Sequence, residues 1–306
     1  MSGYLDNGQW KQGWYDTDDT DGEFVRTVTE FRHDIGADSP FPAVPGRYHL
    51  YVSLACPWAH RTLIVRSLKG LEDVIPVSVV EPVMSEQGWA FSAALPDHAN
   101  SFDHAHQLYT AAKADFSGRV TVPVLWDTQT RTIVNNESAE IIRIFNRAFD
   151  QWGDPTVDLY PEALRAEIDD INAFIYDNIN NGVYRCGFAT RQAAYEQAFE
   201  RLFAALDRIE ARLAAREWLV GDQHTEADWR LFTTLIRFDA VYVGHFKCNR
   251  QRIADFPQLS RYLRRLYHVP GVARTVDFDH IKRHYYISHP HINPTRIVPA
   301  GPRLAL

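Results

Sequence analysis

A chain of 306 residues exceeds what one hydrophobic core usually serves, roughly 250–300 residues, and is comfortable for two domains. Its 45% hydrophobic and 23% charged residues are ordinary for a globular enzyme, and the formal charge of -7, with Lys and Arg dispersed among acids, argues against nucleic acid or an anionic membrane and for a small molecule as the partner. No apolar run approaches the ~18 residues of a spanning helix, and the start of the chain lacks a basic and apolar leader.

Residues 1–45 hold Gly, Asp, Thr and Pro with scattered rings such as Trp10, Trp14, Phe24 and Phe31, and read as an irregular arm draped over the body. A strand follows over 47–53. Leu54-Ala55-Cys56-Pro57 comes next, with Pro57 suited to the first turn of a helix that runs to about Leu68. A second strand covers 74–80. The long polar stretch from Glu86 to Gly118, with Trp89, His98, His104 and His106, is expected to be functional. Strands over 122–126 and 132–134 flank the turn Asp127-Thr128-Gln129-Thr130, and a helix spans about Glu137 to Phe149.

Gln151 to Pro161 reads as a linker, and apolar spacing of three and four then predicts helices over 161–180, 191–215, 227–243 and 259–267. Thr225-Glu226-Ala227-Asp228 matches a capping box with Asp in the place of Glu. The expected organisation is therefore an arm over 1–45, an α/β domain over 46–150, and an all-α domain with a C-terminal extension over 161–306.

Cys56 sits where a strand ends and a helix opens, so unpaired amides and the helix dipole favour its thiolate. Cys186 and Cys248 read as small core residues. Three widely spaced cysteines make neither a disulfide framework nor a zinc pair and fit a reducing cytoplasm. Position 59 is Ala, so no resolving cysteine stands in dithiol spacing. A lone thiolate that attacks sulfur stays in a mixed disulfide until an outside thiol arrives, which points to glutathione.

The Val122-Pro123 bond, if cis, aims the Val122 backbone at a ligand, although trans is the commoner state. Glu137-Ser138 at a helix start can hold an ammonium and a carboxylate, while Ser138 alone reads as an ordinary cap. The histidine groups His98, His104, His106 and His284, His289, His291 lack acidic or cysteine partners at helical spacing and read as solvated loop residues, so no metal is expected. Arg261 to Arg265 reads as a solvated helix face.

In this order, cysteine, proline-flanked strand and Glu-Ser pair resemble the thioredoxin-like, glutathione-binding half of glutathione transferases. More narrowly, Cys56-Pro57-Trp58-Ala59-His60-Arg61, the stretch Gly118 to Asp127 and Asn135-Asn136-Glu137-Ser138 resemble the glutathionyl-hydroquinone reductases, the xi class, over nearly the whole chain. The resemblance implies a thioredoxin-like domain plus an all-α domain, with Cys56 catalytic and glutathione as co-substrate. It implies glutathione contacts from Trp89, Arg119, Val122, Glu137 and Ser138, substrate contacts from Tyr184, Tyr242 and Tyr285, an aryl glutathione thioether as substrate, and a homodimer. The alternatives are an omega-like thioltransferase or dehydroascorbate reductase, against which the insertion with Trp89 argues, and a non-catalytic glutathione-fold scaffold, against which the intact Cys56-Pro57 argues.

Overall fold

The computed structural model describes residues 3–306, which fall into two compact units. One consists of the residues up to Trp14, Thr27–Val157 and Thr275–Pro290; the other of Tyr15–Arg26, Asp158–Arg274 and His291–Leu306.

The first unit is built on β3 (Tyr48–Val52), whose five residues are all buried, as a central strand with both faces covered requires. It leads through Cys56 into α1 (Pro57–Leu68), which returns the chain to β4 (Val77–Val79), parallel to β3. On the other side β6 (Val124–Asp127) pairs antiparallel with β3, Leu50 facing Leu125, and β7 (Thr132–Asn135) completes the order β4-β3-β6-β7. The last helix of this run, α3 (Ser138–Arg147), packs on α1. Strand, helix, strand, strand, strand, helix is the expected order.

The arm departs from the expected irregular course. Gly3–Asp6 (β1) and Gln9–Gln12 (β2) form a hairpin, and β1 also pairs with β5 (Gly118–Arg119) in a second sheet. Asn7 and Gly8 close the hairpin with φ of 47° and 75°, the left-handed pair that matches the twist of a two-residue turn. The polar insertion also carries a helix of its own, α2 (His106–Ala112), which buries Leu108 and Tyr109. The hairpin packs on this insertion. Trp10 stacks on His106 and donates to the Glu86 carbonyl at 3.0 Å, and Gly88, with φ 76°, leaves room for the Trp10 ring, since a Cβ there would lie 2.7 Å from it.

Where β3 begins, Arg47 donates to both carboxylate oxygens of the fully buried Asp127, at 2.9 and 2.5 Å. Burial pushes the Asp127 carboxyl up, but the bonds from Arg47, Thr130 and the Gln129 amide outweigh it and hold the group below its usual range. A carboxyl whose folded value is depressed contributes stability that is present above its unfolded value and is lost as pH falls through the folded one. Urea midpoints should therefore drop on acidification below the ordinary carboxylate range, and Asp127→Asn should flatten that part of the curve. An unchanged acid limb in the variant would show that Asp127 is not the group responsible.

The second unit is helical: α4 (Arg165–Ile175), α5 (Gly182–Phe188), α6 (Gln192–Ala214), α7 (Glu226–Arg237) and α8 (Pro257–Tyr267), with π-type turns over Tyr176–Asn180 and Phe238–Tyr242. All twelve residues of α7 are buried, polar ones included, so each polar group needs a partner. Asn172 donates to Glu226 at 2.8 Å, and Asn180 donates to Thr234 Oγ1 at 2.8 Å. The expected capping box of Thr225 and Asp228 is present.

Residues 15–26 of the arm belong to this unit, tied by Thr17 to Thr190 at 2.9 Å and by the Thr190 amide to the Gly22 carbonyl at 3.2 Å. Conversely α9 (Phe278–Ser288), which chain order assigns to the helical half, belongs to the first unit. Its polar residues find partners there: His280 on Ser53 at 3.4 Å, His284 on the Pro82 carbonyl at 2.9 Å, and Ser288 accepting from the Met84 amide at 3.0 Å. Among the described residues no helix is long and apolar enough to cross a membrane.

Candidate active site

Cys56 is the N-cap of α1, with extended φ and ψ of -73° and 119°, and Pro57 holds the first helical position. Its half-buried Sγ accepts from the Ala59 amide at 3.5 Å and donates to the Val122 carbonyl at 3.3 Å. The turn before it is fixed by Ser53, whose carbonyl accepts from the Cys56 amide at 3.1 Å and whose hydroxyl accepts from the Ala55 amide at 3.2 Å. An orphan amide pointing at the sulfur is the local feature that favours its anion.

Val122 is buried, the Val122-Pro123 peptide is cis, and the Val122 carbonyl accepts from the cysteine sulfur. At the start of α3 the N-cap is Glu137, whose Oε1 accepts from the Ala139 amide at 3.1 Å. Ser138, read from the sequence as a cap, is instead the first helical residue, because Glu137 already supplies the acceptor. Its buried hydroxyl accepts from Arg61 at 3.3 Å and lies 3.5 Å from Glu137 Oε1, to which it donates. Nothing in the sequence around Arg61 marks it as a site residue. It is almost fully buried, and its guanidinium lies 4.7 Å from the centre of the Trp58 ring, so α1 places a cation beside Ser138 as well as a sulfur beside Val122.

Arg119 has its guanidinium on the arm, donating to the carbonyls of Gly3, Gly13 and Trp14 at 3.3, 2.8 and 2.7 Å. Trp89 is 7% exposed and stacks on His284, with ring centres 4.8 Å apart and planes 22° apart. His284 and His289 are therefore not solvated loop residues as the sequence suggested. They are buried because α9 carries them into the first unit, where the Pro82 carbonyl and the Trp89 ring receive His284. Tyr285 is in the same unit, 1% exposed and edge-on to His284.

Tyr184 and Tyr242 are in the helical unit, with ring centres 6.2 Å apart, in a cluster with Phe24, Phe188 and Phe246. Tyr242 is fully buried and Tyr184 half-buried; the Arg26 guanidinium lies 5.1 Å from the Tyr184 ring centre. Cys186 and Cys248 are buried, and burial, reinforced by a hydrogen bond that the Cys248 thiol donates to Cys186, pushes the Cys248 thiol well above its usual range, which suits an inert core sulfur. Among the described residues no three His, Cys, Asp or Glu side chains converge to hold a metal ion.

Residues 55–148 match the N-terminal domain of glutathione S-transferases and 192–265 the C-terminal domain. The chain is 55% identical over 303 residues to glutathionyl-hydroquinone reductase PcpF of Sphingobium chlorophenolicum, covering 98% of this chain and 96% of the relative. It is 53% identical over 312 residues to glutathionyl-hydroquinone reductase YqjG of Escherichia coli, covering 98% and 95%; the glutathione-bound structure of YqjG superposes with a TM-score of 0.91 over 99% of this chain and 96% of that one. A xi-class transferase from Natrialba magadii superposes with a TM-score of 0.93 at 50% identity, over 99% of this chain and 94% of that one. The chain belongs to the glutathione S-transferase family, within the xi class that holds the glutathionyl-hydroquinone reductases.

Proposed function

We propose that the chain removes glutathione from glutathionyl-hydroquinones, with Cys56 as nucleophile. The observation that carries the reading is the Cys56 sulfur at the N-cap of α1, under the Ala59 amide and with no cysteine at position 59, in a chain 55% identical to a glutathionyl-hydroquinone reductase. The Cys56 thiolate attacks the thioether sulfur; the sulfur–carbon bond breaks, its electron pair goes to the ring carbon, and that carbon takes a proton. Cys56 is left joined to glutathione. A second glutathione attacks this disulfide, leaves as oxidised glutathione and returns the thiolate. Overall the ring carbon is reduced by two electrons and two glutathione units are oxidised to one disulfide.

Glutathione is received by the α/β unit. Glu137 takes the γ-glutamyl ammonium, Ser138 and the first amides of α3 take its carboxylate, and the Val122 backbone takes the cysteinyl part, with Trp89 and Arg119 along the tripeptide. The buried Arg61 supports this reading, because it holds a positive charge next to Ser138. Tyr184, Tyr242 and Tyr285 serve the hydroquinone; Tyr184, the half-exposed one of the three, is the first to meet its ring oxygens. A homodimer and a cytoplasmic setting go with the class resemblance and with three separate thiols.

Purified protein given a glutathionyl-hydroquinone and glutathione should release hydroquinone and oxidised glutathione in equal amounts, with the parallel double-reciprocal lines of a two-stage exchange. Turnover of dehydroascorbate or hydroxyethyl disulfide without cleavage of the aryl thioether would replace this reading with an omega-like one.

A further inference from the structure

The insertion between β4 and β6 contributes one hydroxyl whose bonds reach both segments assigned above to glutathione. Tyr109, on α2, is fully buried. Its hydroxyl lies 2.8 Å from the Thr121 carbonyl, 3.2 Å from the Thr121 amide and 3.2 Å from Asn136 Nδ2. A carbonyl can only accept, so the phenol proton belongs to Thr121 O, and the phenol oxygen must then accept from the Thr121 amide and from Asn136. Burial pushes the phenol up, which keeps that proton in place.

The same logic orients the Asn136 amide. Its NH2 group has to face Tyr109, because the reversed amide would set two acceptors against each other. Asn136 is 5% exposed, and its Oδ1 is left buried with no hydrogen-bond partner. A buried acceptor in that state costs stability, so the bond to Tyr109 is kept at the expense of the other half of the amide. Thr121 precedes Val122 and Asn136 precedes Glu137. The Asn136 backbone is held as well, its amide donating to the Phe31 carbonyl at 3.1 Å. Thr121 lies just before β6 and Asn136 just after β7, and beyond the last paired residues of these two neighbouring strands, Leu125 and Asn135, one oxygen atom sets the two segments in fixed relation.

We propose that Tyr109 is a positioning residue for glutathione, acting through Thr121 on Val122 and through Asn136 on Glu137 and Ser138. It rests on the assignment of those three residues to the tripeptide. It also gives the insertion a task apart from Trp89: α2 aligns the walls between which the peptide part of glutathione lies.

The test is direct binding of reduced glutathione by calorimetry, together with kinetics, on the full chain. Tyr109→Phe removes one oxygen and leaves the ring packed between Phe31 and Phe116. It should weaken glutathione binding, and raise the glutathione KM, by about 10-fold with kcat within about twofold, while Cys56 keeps its rate of alkylation by iodoacetamide. Asn136→Leu should do the same, and the double variant should be no worse than either alone, since both break one linkage. Unchanged affinity in Tyr109→Phe overturns the proposal, as do additive losses. Parallel falls in kcat, alkylation rate and melting temperature would show a merely structural role and overturn it too. Wild-type protein that binds glutathione but cleaves no aryl thioether would remove the proposed reaction and leave Tyr109 to be judged on binding alone; wild-type protein that binds no glutathione would remove both.

Discussion

Cys56→Ala is expected to lower hydroquinone release at least ~1000-fold, because both stages of the proposed exchange pass through that sulfur. Mass spectrometry of the wild-type protein, quenched with acid after exposure to the thioether alone, should find one glutathionyl group on the peptide bearing Cys56. Cys186 and Cys248 should carry none, since both are buried and the Cys248 thiol is held protonated. Cys56→Ser is expected to be as inactive as the alanine variant, because an alkoxide is too basic to form at the N-cap of α1. Activity within ~10-fold of wild type in either variant would require another nucleophile and would end the present account.

The largest expected loss of stability lies in the helical unit, at Asp228. One carboxylate oxygen accepts from the Leu219 amide at 3.0 Å and from the Tyr262 hydroxyl at 2.6 Å; the other accepts from the Thr225 amide at 2.7 Å and its hydroxyl at 3.2 Å. Asp228 is fully buried at the start of a helix that is itself buried throughout. Asp228→Ala strands several donors where water cannot replace the carboxylate, and the loss should be about 4 kcal/mol, a large share of the roughly 5–15 kcal/mol that holds a typical domain folded. Asp228→Asn keeps one acceptor oxygen and should lose clearly less. Urea unfolding followed by circular dichroism measures both, and equal midpoints for wild type and alanine variant would refute the assignment.

Asp228 was legible in advance because a capping box is a short-range pattern, and α1 was legible for the same reason: Pro57 marks its first turn and Cys56 the residue before it. The hairpin of β1 and β2 has a local signal too, in Asn7-Gly8, but its strands lack the strong alternation that would mark them as strands. Ser138 misled because serine is a favoured N-cap; that Glu137 takes the post depends on its side chain folding back to the Ala139 amide, which no pattern announces.

Tyr109 and Arg61 had no local signal. One tyrosine among 14 becomes distinctive only when Thr121 and Asn136 converge on its oxygen, and an arginine in a helix becomes distinctive only when it proves buried beside Ser138. Chain order does not show that α9 joins the first unit, and the spacing around His284 does not show its burial. The deciding partners, Ser53, Pro82 and Trp89, lie some 200 residues earlier.

That long return has a consequence for synthesis. When a ribosome has made residues up to Val157, β3, α1, β6 and α3 all exist, yet Trp89 and the turn at Ser53 still lack the helix that covers them. The first unit lacks its last segment until more than a hundred further residues have been added. Both units therefore reach their full complement of residues only near the end of translation, since the helical one takes in His291–Leu306, which follow α9.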